Sequence, residues 1–188
     1  MPPLLKPAES ILLILDPRPE HLERIDSTSR GATTHKLTTA HRAAQLAGVP
    51  THLAGNGTLE PAKTWNVLAA PIIAANTHDL PPTSIQWRES PLGLAIAASD
   101  RNSLVLCGFW LECTATFTAL AANAEGIDVA VLLDATPHFL TETKQPAIDR
   151  LTQAGVVPMT TAQMIMEWAE GSASSATKQQ LMSLLSEF

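Results

Sequence analysis

Hydrophobic positions along this chain gather in short unbroken runs, separated by longer stretches with helical periodicity. Ile11-Leu-Leu-Ile-Leu-Asp16 is the first run: five aliphatic residues without polar alternation, ended by a carboxylate and followed by Pro17. Such a run reads as a central strand buried on both faces. Leu104–Gly108 and Ile127–Asp134 read the same way. Pro50–Leu53 and Val156–Met159 are shorter strands, and a further one is expected over Ser84–Trp87. Between them, apolar residues return at helical spacing over Thr33–Leu46, Pro91–Ala98, Glu112–Ala124, Thr143–Ala154 and Thr161–Glu170. Gly48, Gly126 and Gly155 stand where helix C-caps belong. The run Val67–Ala75 fits either a strand or a short helix.

Strands that alternate with helices require crossover connections and hence a parallel sheet. The expected fold class is α/β, a three-layer α/β/α sandwich around a parallel, Rossmann-like sheet. Residues 1–170 are expected to form one domain. Residues 171–188 form a C-terminal tail: a Gly/Ser/Ala joint and a helical, amphipathic Gln179–Phe188, either frayed or docked on a neighbouring subunit.

Composition narrows the function classes. The 188 residues suffice for one good core. Only 16% are charged while 45% are hydrophobic. That sparse surface charge is expected of a homo-oligomer, part of whose surface is covered by another copy. A net charge of −6 weighs against nucleic acid or an anionic membrane as partner. The apolar runs are too short to span a bilayer. Met1–Lys6 lacks the pattern of a signal peptide, and the two cysteines, Cys107 and Cys113, need not be bridged, so a cytoplasmic location is expected.

Ligands of an open parallel sheet bind beyond the carboxyl ends of its strands. Asp16 ends the first strand there, either as a general base or as an acceptor for loop amides. Cys113 and Thr114 stand where a strand turns into a helix. Outward-pointing amides at such a place can lower a thiol pKa or form an oxyanion hole. Alternatively, Cys113 is a small buried apolar residue. Cys107 lies inside a strand and is structural. His21, His35, His41, His52, His78 and His138 show no metal-ligand spacing, and no phosphate-cradling or nucleophile-elbow motif occurs. No metal and no cofactor are expected.

Together "ILLILD", "AAQLAGVPTHLAG", "SIQW", "LVLCGFWLECTATFTALAANAEGIDVAVLLDA" and "AIDRLTQAGVVPMTT" carry a resemblance. In order and spacing the chain resembles the isochorismatase-like cysteine hydrolases, within them the YcaC-like branch. The resemblance implies the isochorismatase-like hydrolase fold, a small-molecule substrate or ligand, and oligomeric assembly. It also implies an Asp, a Lys and a nucleophilic Cys, with an oxyanion hole beside a non-proline cis peptide. The Asp carries over to Asp16. The Lys position falls near Leu80–Pro81, and the five lysines (Lys6, Lys36, Lys63, Lys144, Lys178) are elsewhere. His78 and Arg88 are the nearest basic residues by sequence. Aligned without gaps, the pattern G-V-x-T-E-x-C puts Thr114 on the nucleophile and Cys113 one residue early, about 100° away around a helix. Trp87, Phe109, Trp110 and Leu111 are the expected pocket-lining residues.

The leading expectation is thus a hydrolase-like protein with its catalytic Lys missing and its Cys displaced, weakly active or inactive. The alternative is an active amidase or other hydrolase using Cys113 or Thr114 with Asp16. A third is a structural oligomer whose pocket is filled by Trp87, Phe109 and Trp110.

Overall fold

The computed structural model describes residues 4–57, 59, 76–80 and 87–188. Six strands form one parallel sheet: β1 (Ser10–Leu15), β2 (Thr51–Gly55), β3 (Thr77–Asp79), β4 (Ser103–Gly108), β5 (Asp128–Leu132) and β6 (Val157–Met159), in the order β3-β2-β1-β4-β5-β6. The helices are α1 (Pro19–Glu23), α2 (Ser27–Ala47), α3 (Pro91–Ala98), α4 (Thr116–Ala124), α5 (Thr141–Gln153), α6 (Thr161–Gly171) and α7 (Ser175–Leu184).

The unbroken apolar runs are explained by where alternate side chains go. Leu12, Ile14, Val105, Cys107, Ala130 and Leu132 pack on one face against Leu37 and Ala44 of α2, Ile165 and Trp168 of α6, and Leu181 and Leu184 of α7. Ile11, Leu13, Leu15, Leu104, Leu106 and Val131 pack on the other against Leu92 and Ile96 of α3, Ala119 and Ala122 of α4, and Leu151 of α5. A strand in the middle of three layers has no wet face, so it needs no polar alternation. The C-terminal helix α7 belongs to this arrangement, since it packs on α2 and α6 of its own chain.

Boundaries follow local chemistry. Asp26 caps α2, accepting the Thr28 amide, and Gly48 ends it in the left-handed region at φ 68°. One element of the structure was not read from the sequence, and one expected strand falls mostly outside the described residues. β3 was not anticipated, because Thr-His-Asp carries no apolar signal; it is an edge strand held by pairing to β2. Of the strand expected over Ser84–Trp87, residues 84–86 lie outside the described residues, and Trp87 stands in a turn before α3. The run Val67–Ala75 also lies outside the described residues.

The strand order reverses between β1 and β4, the switch point beyond whose carboxyl ends a ligand crevice forms in open α/β sheets. Leu15 is the register partner of Gly108, so Asp16 and the turn after Gly108 are brought side by side. Gly108 has φ 106°, and a Cβ there would lie 2.2 Å from the Leu15 carbonyl oxygen. Only glycine lets the two strand ends approach so closely.

Candidate functional site

Asp16 leaves β1 with φ 45°, a left-handed conformation that short polar side chains tolerate best. Its amide donates to the Ala54 carbonyl at 2.7 Å, and its own carbonyl accepts the Arg18 amide at 2.7 Å across Pro17. That tight turn folds the chain back on itself. The Arg18 guanidinium consequently reaches the Asp16 carboxylate, Nε to Oδ1 at 2.6 Å, while Nη2 donates to the carbonyls of Asn56 (2.7 Å) and Gly57 (3.2 Å). Asp16 is buried, and Gly55 leaves the room its carboxylate occupies, since a Cβ there would lie 2.7 Å from Oδ1.

Across the crevice, β4 ends at Gly108 and the Phe109–Trp110 peptide is cis. A π-helical turn, Leu111–Ala115, then leads into α4. The Trp110 carbonyl accepts both the Cys113 amide (3.2 Å) and the Ala115 amide (3.0 Å), the second being the five-residue bond that defines the wider turn. The amides of Gly108, Phe109 and Leu111 donate to the carbonyls of Ala135, Leu15 and Pro137. Cys113's own amide is therefore engaged rather than pointing free.

Glu112 organises this turn. Its Oε1 accepts from the amides of Phe139 (2.7 Å) and Leu140 (3.0 Å) and from the Thr143 hydroxyl (2.8 Å), capping the start of α5. Burial works to raise its pKa, but hydrogen bonds from its own amide, Leu140, Thr143 and Phe139 outweigh that, and the carboxyl is held below its usual range. Partial burial first, and the Glu112 charge second, push the neighbouring Cys113 thiol above its ordinary value. Cys107, inside β4, is pushed up by complete burial and then by Asp134.

The expected site residues fall as follows. Asp16 is buried beside Arg18, Cys113 is exposed, and Thr114 is half-buried in the π turn. Among the described residues no hydrogen bond joins the Asp16 carboxylate to Cys113 or Thr114. Phe109 and Trp110 belong to the core on the α2 side of the sheet, Trp87 and Leu111 to the core on the α3 side. Neither basic residue nearest by sequence serves Asp16: Arg88 pairs with Glu125, and His78 meets His52 at 2.9 Å. The cation that does is Arg18, and His21 of α1 stands beside it with Nδ1 3.8 Å from Asp16 Oδ2. For Arg18 the sequence held a weak signal in the Asp-Pro-Arg step, where proline ends the strand and turns the next side chain back; none marked His21. Among the described residues no group of three or more His, Cys, Asp or Glu could hold a metal ion. No described helix is long and apolar enough to cross a membrane.

Residues 86–163 match the isochorismatase domain family, and the fold is the three-layer α/β arrangement of isochorismatase-like proteins. On the YcaC side of that family, the probable hydrolase YcaC of Escherichia coli (strain K12) is 38% identical over 74 residues. Those residues are 39% of this chain and 36% of YcaC, so the matched stretch spans about a third of that relative. In fold the likeness runs nearly the whole length. YcaC from Pseudomonas aeruginosa, solved with hexane-2,5-diol and covalent acrylamide, superposes with a TM-score of 0.80 at 19% identity, covering 98% of this chain and 92% of that one. The E. coli YcaC gene product, an octameric hydrolase of unknown specificity, gives 0.79 at 22% identity with the same coverage.

Proposed function

We propose that this chain is a hydrolase of isochorismatase descent, acting on a small molecule, in which cysteine chemistry is feeble or lost. The observation that carries the reading is the placement of charge. A nucleophilic thiol needs a cation or free amides to hold it as thiolate. Here the cation beside Asp16 is Arg18, committed to that carboxylate and to two carbonyls. The charge acting on Cys113 is the Glu112 carboxylate, which disfavours thiolate. A free thiol is only a few per cent ionised at neutral pH, and Cys113 is pushed further in the wrong direction. In this reading Asp16 and Thr114 stand at the inherited catalytic positions, and Cys113 is a displaced neighbour. The octameric E. coli relative supports a further part of the proposal, that this chain self-associates.

Iodoacetamide alkylation measured against pH, with a panel of amide and ester substrates, tests the reading. Cys113 is expected to alkylate only in the alkaline range, and Cys113→Ala to leave any turnover unchanged. Alkylation with an apparent pKa well below that of a free thiol, together with loss of turnover in Cys113→Ala, would replace it with an active cysteine hydrolase.

A further inference from the structure

His21 is a titratable side chain at Asp16 that cysteine chemistry does not use. Its Nδ1 lies 3.0 Å from the main-chain carbonyl of Asp16. A carbonyl oxygen only accepts, so Nδ1 must carry the hydrogen, and the lone pair of the neutral ring is left on Nε2. Nε2 has no hydrogen-bond partner among the described residues, and the side chain keeps 17% of its surface open. The ring is held in place by Phe109 and Trp110, with centroids 5.5 and 5.7 Å away. Behind it, Asp16 Oδ2 stands 3.8 Å from Nδ1, while Oδ1 is occupied by Arg18. An imidazole fixed in one tautomer, backed by a carboxylate and free at its far nitrogen, has the parts of a general base.

We propose that His21 is the proton acceptor of this site and that it activates water toward the acyl carbon of an ester or amide, a step that rests on the hydrolase reading above. As the water oxygen bonds to the acyl carbon, one water proton passes to Nε2 and the carbonyl electron pair moves to oxygen. The tetrahedral species then collapses, the bond to the leaving group breaks, and that group takes the proton from Nε2. Between the two transfers Asp16 Oδ2 faces the imidazolium, and Arg18 offsets part of that attraction. Of the other charged groups nearby, Glu20 and Glu23 lie on α1 itself. Arg30 of α2 is bound to the carbonyls of Glu23 and Ile25, and the Phe109–Trp110 turn carries no charge.

The probe is p-nitrophenyl acetate, hydrolysed by the full chain across the neutral pH range. Wild type is expected to exceed the buffer rate, with one ionisation in its profile. His21→Gln should fall by about 10²-fold or to the buffer rate and lose that ionisation. Cys113→Ala should match wild type in both. Nitrogen-detected NMR of the wild-type ring should find Nδ1–H in the neutral form, a requirement of the assignment that can be checked even where His21→Gln fails to fold. No rate above buffer, an unchanged rate and profile in folded His21→Gln, or an Nε2–H neutral ring would each overturn the assignment. A rate abolished by Cys113→Ala instead overturns the cysteine-poor reading, and the two failures are thereby told apart.

Discussion

Arg18 anchors the β1 end through three acceptors while its side chain remains 30% exposed, against 8% for Asp16. Removing it leaves a buried carboxylate without its partner, which costs far more than an exposed ion pair contributes. Arg18→Met is expected to lower stability by about 2 kcal/mol, read as a shift in urea midpoint. Arg18→Lys should recover only part, because one ammonium cannot reach the carboxylate and both carbonyls as the guanidinium fork does. At this scale the sequence was half legible. Asp16 announced itself as a carboxylate at the end of an aliphatic run. Arg18 and His21 did not, because the resemblance puts the cation near Leu80, and nothing in residue spacing says that Asp16 adopts a positive φ.

Among the elements, the strands that lie mid-sheet were readable because burial on both faces leaves an aliphatic signature. The edge was not: β3 is three polar residues, and its place is secured by β2 and by one side-chain pair. His52 Nδ1 and His78 Nε2 meet at 2.9 Å, with rings 19° apart and centroids separated by 5.1 Å. That centroid distance is close to the 2.9 Å contact plus the two ring radii, so the imidazoles lie in line, edge to edge, sharing one hydrogen. Burial, and then the His78 charge, pull His52 down to about 4, and burial also lowers His78. A histidine depressed in the folded state is protonated more readily when unfolded, so its contribution is full above pH 6.5 and fades as pH falls toward 4. Stability should therefore drop over that window, by on the order of 2 kcal/mol after allowance for solvent around the half-buried His78, and is read as a lower melting temperature. In His52→Gln the drop should shrink; an equal drop in that variant would place its origin elsewhere. The helix expected over Glu112–Ala124 is present, but its first turn is wider than α-helical, a detail set by the Trp110 carbonyl and invisible to periodicity.

For the molecule as a whole, sparse charge pointed to a covered surface, and the structure places large apolar side chains outside: Leu94 is 57% exposed, Phe117 61%, Phe139 54% and Leu140 47%. Large apolar side chains left outside are what an association surface covers. With the proposed self-association, light scattering at micromolar concentration is expected to give a multiple of the 20.0 kDa chain mass; a monomer mass would refute it. The layered fold was legible from strand and helix alternation alone. The crevice was legible only in outline, since its position follows from a strand order that no single segment encodes.

Glu112 ties two loops together through one oxygen and, with the same charge, adds to the effect of burial in raising its neighbour's thiol pKa. An engineer wishing to restore a reactive cysteine here meets a conflict of interests within a single side chain. Neutralising Glu112 would ease ionisation of Cys113 but loosen the cap of α5 and the loop that frames the crevice. On the proposal that Thr114 stands at the inherited nucleophile position, placing the sulfur there by Thr114→Cys leaves the Glu112 cap intact.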